Sequence, residues 1–341
     1  MSQLALRSAK PPRIKAARKP AKKTAGPPAA KRPAGRVAAD WIAGIALGPA
    51  GARRYRLYRP PGSQAGDALP LLVMLHGCGQ DADSFAASTR MNAVAARERF
   101  MVLYPMQERL ANAQGCWNWF ETRSGRAQGE VALIMAAIDQ VCALYRVDRA
   151  RVAICGLSAG ASMAALVALR HPDRFKAVVM HSGVPPGVAQ SSASALAAMR
   201  GRRVGAQALV ASALADAAGL PPLLAIHGDG DHVVAPSNSR HAVLAWALAG
   251  SALAPGVGSV PAARADAGRR VQRGLRHPMR VVDFRRRGRN AVSLVEIERL
   301  GHAWSGGASG QPFSDPGGPD ASRLAWAFVA KCFREADAAK S

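Results

Sequence analysis

A serine inside a glycine-flanked pentapeptide is the clearest sign of chemistry in this sequence. Gly156-Leu157-Ser158-Ala159-Gly160 follows a short apolar run and precedes small residues that favour a helix. A sharp turn from strand to helix lifts the serine hydroxyl clear of the sheet, and glycines are required beside it because a Cβ would clash with backbone. Ser158 is therefore the candidate nucleophile. The Ala159 N–H, at the helix N-terminus, is a candidate donor to an oxyanion.

A serine nucleophile needs a base, and the base needs an acid that orients it. Both candidates follow the serine in the chain, each after an apolar run that predicts a strand. Asp231 follows Leu223–Ile226, and His302 follows Val292–Ile297 in a loop with a glycine. The order Ser158, Asp231, His302 predicts a triad.

The identity of the acid is open between two aspartates. Asp229 and Asp231 are two residues apart, so on extended backbone they would point in opposite directions, and only one can face His302. We favour Asp231 over Asp229. The same loop permits a second interpretation, a metal site built from His227, Asp229, Asp231 and His232. The triad chemistry requires no metal and no cofactor, and we predict neither.

The loop after the apolar run Leu71–Leu75 supplies a second candidate oxyanion donor. It reads His76-Gly77-Cys78-Gly79-Gln80. A glycine-containing loop after a buried strand can present a backbone N–H to the reacting carbonyl. We predict that this donor is Cys78 or Gly79, and we place Gln80 among the substrate contacts.

Aromatic residues near these loops predict an apolar pocket. Trp117 and Trp119 lie in the segment Cys116-Trp117-Asn118-Trp119-Phe120, and Trp304 comes two residues after His302. Such side chains can form the wall of an acyl or alcohol pocket. The alternative for the first two is a hydrophobic cluster beneath a loop.

The elements that must position these residues alternate along the chain. Short apolar runs bounded by glycine or proline alternate with segments of helical period, such as 130–145. This alternation predicts an α/β fold with a mostly parallel sheet covered by helices on both faces. Apolar and charged residues alternate over 52–58, and this pattern predicts an early antiparallel strand. We assign 39–341 to one catalytic domain and interpret 251–280 as a surface excursion.

Charge is concentrated at the start of the chain. The 341 residues carry a formal charge of +24, and residues 1–36 hold 11 Lys and Arg with no acid. Residues 1–38 have too few apolar side chains to fold, so we predict a disordered basic arm. It is either a solvated tail or an adhesive segment for polyanions. It has no interleaved aromatics, so specific base recognition is not supported.

Composition excludes several classes of protein. The chain is 49% hydrophobic and 20% charged, which excludes a wholly disordered or collagen-like chain. No apolar run reaches the roughly 18 residues of a spanning helix, and no signal peptide is recognisable. Five cysteines do not indicate a disulfide-dense scaffold, although one pair could form. The oligomeric state is not predicted.

Five motifs in this order resemble the poly(3-hydroxybutyrate) depolymerase family of α/β-hydrolase esterases. They are HGCGQ, CWNWF, GLSAG, HGDGD and GHAWSGG. The resemblance implies an α/β-hydrolase fold and a serine esterase with Ser158 as nucleophile, His302 as base and Asp231 as acid. It also implies an oxyanion donor at Cys78 and a disulfide between Cys78 and Cys116.

The resemblance leaves the substrate and the compartment open. It implies poly- or oligo-(3-hydroxyalkanoate) or other short-chain esters, with acetyl or feruloyl esters of plant polysaccharide as the alternative. It implies an extracellular protein, whereas the lack of a recognisable signal peptide favours a cytoplasmic one. A hypothesis of another class is a polyanion-binding protein with a degenerate hydrolase fold.

Overall fold

The computed structural model describes residues 39–64, 66–202, 219–249, 264–286 and 289–338. The basic arm predicted over 1–38 and the first part of the predicted excursion lie outside these residues. Both therefore remain predictions.

Thirteen strands are present in the described ranges, and eleven of them form one sheet. The strands are β1 (Asp40–Gly48), β2 (Gly51–Arg59), β3 (Leu69–Leu75), β4 (Met101–Pro105), β5 (Val147–Leu157), β6 (Val178–His181), β7 (Leu223–Gly228), β8 (Arg264–Ala265), β9 (Arg269–Val271), β10 (Met279–Arg286), β11 (Arg289–Ile297), β12 (Trp304–Ser305) and β13 (Ser314–Asp315).

The centre of the sheet is parallel and its edges are antiparallel. The order is β1-β2-β4-β3-β5-β6-β7-β11-β10-β8, with β9 also paired to β10. The six strands from β4 to β11 pair in parallel. Because parallel strands share one carboxyl edge, the loops that carry the chemistry all leave the sheet on the same side.

Helices cover both faces of this sheet. They are α1 (Ala82–Thr89), α2 (Met91–Glu98), α3 (Arg126–Leu144), α4 (Ala159–Arg170), α5 (Ser192–Met199), α6 (Ser237–Ala249) and α7 (Ala321–Ala338). Strand β3 shows why two layers are needed. Leu71, Val73 and Leu75 belong to one buried cluster, and Leu72 and Met74 belong to the other. A strand that is apolar on both faces must be covered on both. The predicted α/β-hydrolase architecture is confirmed.

Among the described helices, α3 is the one long and apolar enough to cross a bilayer. It packs against the sheet, and Ile134, Ile138 and Val141 are buried in the core. This is the packing of a core helix.

Two long strands were not predicted, and neither were the short strands β8, β9, β12 and β13. Strand β1 pairs with β2 and forms one edge of the sheet, and β10 pairs with β11 near the other edge. The described part of the predicted excursion carries the short strands β8 and β9, whose residues are mostly exposed and pair with β10. This segment therefore lies on the surface and extends the sheet.

Candidate active site

Ser158 occupies the junction between β5 and α4 in a backbone conformation that L-residues rarely adopt, with φ 56° and ψ −122°. The glycines on either side make this turn possible. A Cβ on Gly156 would lie 2.3 Å from the Gly160 carbonyl carbon, and a Cβ on Gly160 would lie 2.2 Å from the Leu75 oxygen. Both approaches are to backbone, which cannot move aside, so the turn requires glycine at both positions.

The structure brings together three side chains that lie far apart in the sequence. The Nε2 atom of His302 is 2.9 Å from the Ser158 Oγ, and its Nδ1 atom is 2.7 Å from Asp231 Oδ2. An ionised carboxylate can only accept, so Nδ1 carries the proton and Nε2 accepts the hydrogen bond that the serine hydroxyl donates. This is the tautomer required of a base that activates Ser158.

Asp231, rather than Asp229, faces the imidazole. Asp231 is buried, and its Oδ1 accepts hydrogen bonds from the backbone N–H groups of Val233 and Val234. Asp229 instead accepts a hydrogen bond from the Arg299 N–H, which anchors the neighbouring loop. Burial alone would raise the pKa of Asp231. Hydrogen bonds from two histidines and two N–H groups outweigh burial and hold that pKa well below its usual range.

A second histidine contacts the same carboxylate and was not predicted as part of the site. The Nε2 atom of His227 lies 2.9 Å from the Val234 oxygen and 3.2 Å from Asp231 Oδ2, so it carries a proton that both oxygens accept. Its Nδ1 atom lies 2.5 Å from the Ser239 hydroxyl, which donates to it. Both ring nitrogens are therefore engaged within the protein. No group of three or more His, Cys, Asp or Glu side chains in the described ranges is arranged to hold a metal ion.

His181 supports the loop that carries the base. Its Nε2 atom accepts a hydrogen bond from the Ser305 N–H at 3.2 Å, and its ring stacks on Trp304. Complete burial, reinforced by nearby His227 and His302, lowers the pKa of His181 to about 3. A neutral ring is what the Ser305 N–H needs as an acceptor.

The predicted oxyanion loop lies beside Ser158, but its residues differ in role. The Gly79 N–H donates to the Gln114 oxygen at 2.9 Å and is already engaged. Cys78 has no hydrogen-bond partner for its N–H among the described residues, so we retain it as the proposed donor. As first residue of α4, Ala159 also has an N–H that the helix does not satisfy. The Gln80 side chain is buried and contacts Gly77 N, which argues against its predicted role in substrate binding.

A disulfide joins Cys78 to Cys116 and so links the oxyanion loop covalently to the aromatic segment.

The buried side chain of Glu130 also fixes the aromatic segment through hydrogen bonds. The Glu130 carboxylate accepts hydrogen bonds from the Asn118 backbone N–H and side-chain amide, and from the Gln107 amide. The sequence analysis did not identify this buried acid, whose partners lie 12 and 23 residues away.

A cavity of about 340 Å³ opens in front of Ser158. Trp117 and Trp119 both lie along its wall, but Trp117 is fully buried and donates its indole N–H to the His76 oxygen, which is the packing expected of the alternative, a hydrophobic cluster beneath the loop. The helix α5 contributes Leu196 and Met199 to the same wall. Further lining residues are Cys78, Asn112, Gln114, Cys116, Phe120, Ala159, Ser162, Val184, Ser192, Ala195 and Val234.

Trp304 is not part of this cavity, contrary to its predicted role. The side chain is fully buried, its indole N–H donates to the Ser322 hydroxyl, and its ring packs edge-on against Phe85. It is a core residue that positions the segment after His302.

Comparison with known proteins gives the family. The sequence profile of the Esterase PHB depolymerase family matches residues 53–266. The chain is 36% identical over 180 residues to poly(3-hydroxyalkanoate) depolymerase C of Paucimonas lemoignei, covering 51% of this chain and 43% of that protein. It is 29% identical over 209 residues to feruloyl esterase B of Thermothelomyces thermophilus, covering 56% and 69% respectively.

The fold has close counterparts among solved structures. Acetyl xylan esterase from Aspergillus awamori aligns over 78% of this chain and 94% of its own, with a TM-score of 0.56 and 16% identity. The chain spans less than half the length of the Paucimonas lemoignei depolymerase that it matches. The profile match covers more than half of the chain, and the chain therefore belongs to the Esterase PHB depolymerase family.

Proposed function

We propose that the protein is a serine carboxylic-ester hydrolase that works through an acyl-enzyme. One observation supports this above the others. The Ser158 hydroxyl, held in a strained turn at the mouth of an apolar cavity, is hydrogen-bonded to His302, which is in turn hydrogen-bonded to the buried Asp231.

The geometry supports a two-step mechanism. His302 takes the Ser158 proton as Oγ attacks the ester carbonyl, and the N–H groups of Cys78 and Ala159 receive the oxyanion. The tetrahedral intermediate collapses, the C–O bond to the alcohol breaks, and His302 returns the proton to the leaving oxygen. A water molecule, deprotonated by His302, then attacks the acyl-enzyme. The second tetrahedral intermediate that forms then collapses, His302 returns the proton to the Ser158 oxygen, and the carboxylic acid is released.

For the substrate we propose a short-chain ester or an oligo-(3-hydroxyalkanoate). The cavity of about 340 Å³ is at the small end of the range for ligand pockets, and its wall is largely aromatic and aliphatic. The relative from Paucimonas lemoignei is named as a poly(3-hydroxyalkanoate) depolymerase. Other relatives are named as feruloyl and acetylxylan esterases, so acetyl and feruloyl esters are the second candidates.

The test is an ester panel run with Ser158→Ala beside the parent chain. The panel contains p-nitrophenyl esters of increasing acyl length, hydroxybutyrate oligomers, acetylated xylan and a feruloyl ester. Ser192→Ala is the matched control, because it removes a hydroxyl that lines the same cavity without touching His302. We expect Ser158→Ala to lose all turnover above background and Ser192→Ala to keep it. Turnover retained by Ser158→Ala would refute the assignment.

Adhesion of residues 1–36 to polyanions remains a separate prediction. It rests on 11 positive charges without an acid. Binding of the full chain to DNA should weaken steeply with salt and be lost on deletion of residues 1–36. Unchanged binding after the deletion would contradict it.

A further inference from the structure

A second cavity, larger than the one at Ser158, lies elsewhere in the domain. Its volume is about 520 Å³, and it is enclosed by α2, by the segment that runs from β9 to β10 and by the start of α7. It shares no lining residue with the cavity at Ser158. Its volume lies within the range usual for sites that hold small molecules.

The charges that line this cavity are unbalanced. The one carboxylate in the lining, Asp320, lies 3.4 Å from Arg323 and 3.9 Å from Arg90. Five arginines line the cavity together with this carboxylate, so the lining holds four more positive charges than negative ones. The charged lining residues are Arg90, Arg97, Arg273, Arg276, Arg323 and Asp320.

The surrounding protein offsets this excess only in part. Arg97 contacts Glu98, and the lining residue His277 lies 3.4 Å from Asp315; both carboxylates lie outside the lining, and that leaves two uncompensated charges. Arg276 donates to the Gly318 carbonyl, which is neutral. In the described part of the chain, Arg273 has no carboxylate within ion-pair distance. A concave surface lined by one sign of charge concentrates ions of the opposite sign.

The nature of the charges points to phosphate. Guanidinium groups bind phosphate through two parallel hydrogen bonds, and a phosphoryl group carries more charge than a carboxylate. An excess of two to four charges is offset by one or two phosphoryl groups. Apart from His277, the remaining wall is apolar and includes Val94, Met279 and Leu324, which suits the uncharged body of an organic molecule.

We propose that this cavity is a second, non-catalytic binding site for an organic molecule with one or more phosphoryl groups. Its phosphates contact Arg90, Arg273 and Arg323, and its body packs against Val94 and Met279. The site is independent of the proposed esterase activity, since the two cavities share no residue.

The experiment is calorimetric titration of the full chain with ATP as the probe. Arg273→Gln combined with Arg323→Gln removes two charges from the lining. Arg149→Gln combined with Arg170→Gln removes two exposed charges outside it and is the matched control for the loss of positive charge as such. We expect the first pair to weaken ATP binding about 30-fold and the control pair to weaken it less than about 3-fold. A tenfold change in Kd corresponds to ~1.4 kcal/mol of binding free energy.

A third variant blocks the cavity without changing its charge. Ala93→Phe places a ring in the lining, and we expect at least a tenfold loss of ATP affinity. Inorganic triphosphate should bind the parent chain more weakly than ATP, and adenosine should not bind. Circular dichroism melts verify that each variant is folded. Equal losses in the two arginine pairs, or ATP binding by Ala93→Phe at parental affinity, would overturn the proposal.

Discussion

The substitution Asp231→Asn tests the site at its most buried point. The Asp231 carboxylate accepts four hydrogen bonds, two on Oδ1 from the N–H groups of Val233 and Val234 and two on Oδ2 from His302 and His227. An amide oxygen can keep the two backbone bonds. The Nδ2 group then takes the place of Oδ2 and points its hydrogens at two ring nitrogens that already carry protons.

The variant therefore forces His302 into the other tautomer. If Nδ1 must accept from the amide introduced at position 231, the proton moves to Nε2, which faces Ser158 and can no longer accept the hydroxyl proton. In a triad of this kind the corresponding change costs about 10⁴ in kcat, or about 5 kcal/mol of activation free energy. His227 meets the same conflict, so we also expect a loss of stability of about 1–3 kcal/mol.

The assay measures kcat and KM with a p-nitrophenyl ester, with Asp229→Asn as the control. Asp229 accepts one hydrogen bond, from the Arg299 N–H, and an amide oxygen can accept it equally well. We expect Asp229→Asn to stay within about threefold of the parent, as surface changes away from special features do. A loss in Asp231→Asn smaller than tenfold, or an equal loss in both variants, would show that another group orients His302.

Three further outcomes follow from the same structure. Replacing both Cys78 and Cys116 by serine should lower the free energy of unfolding by about 2–4 kcal/mol and make the melting temperature insensitive to dithiothreitol; a parental melting temperature would contradict this. Gly160→Ala drives a Cβ into backbone and should cost at least about 1–3 kcal/mol by urea unfolding, whereas Gly66→Ala, with open space around it, should cost nearly nothing. Burial lowers the pKa of His181 to about 3. Below about pH 6.5, His181 is therefore protonated in the unfolded chain but stays neutral in the folded protein. Its contribution to stability therefore falls by about 1.4 kcal/mol per pH unit from about pH 6.5 towards 3, and a flat urea midpoint between about pH 6.5 and 4.5 would contradict this.

The parts of the fold that could be predicted are those whose pattern is local. The central strands are apolar on both faces, so a continuous run marks each of them, as in Leu71–Leu75 within β3. Strand β10 carries exposed Arg280 between the buried Met279 and Val281, and exposed Arg285 between two half-buried residues, and these charges interrupt the apolar pattern. Strand β1 is an edge strand with exposed Ile45 and Leu47, so its apolar residues do not form the continuous buried run that marks a central strand.

The turn at Ser158 was predictable because its requirements lie within five residues. The errors at Gln80 and Trp304 have a different origin. Both side chains belong to motifs that flank the site, but Gln80 is turned inward by Gly77 and Ser88, and Trp304 is turned away from the site by partners more distant in the chain. Trp304 donates to Ser322, 18 residues further on, and stacks on His181, which lies far upstream in β6. A side chain's direction at the end of a strand depends on such contacts, which spacing does not specify.

Contacts between residues far apart in the chain also explain why the sequence favours Asp231 over Asp229 without giving the physical reason. Asp231 is distinguished by donors that converge on it from three places: His302, the turn at Val233 and Val234, and His227. Ser239 donates to His227 Nδ1 and thereby keeps the His227 proton on Nε2, facing the carboxylate. Of the four N–H donors to Asp231, those of Val233, Val234 and His227 belong to groups that take no part in proton transfer between Ser158 and His302. In the proposed mechanism Asp231 therefore stays ionised when His302 gains a proton from Ser158, and its charge is in place to stabilise the imidazolium that forms.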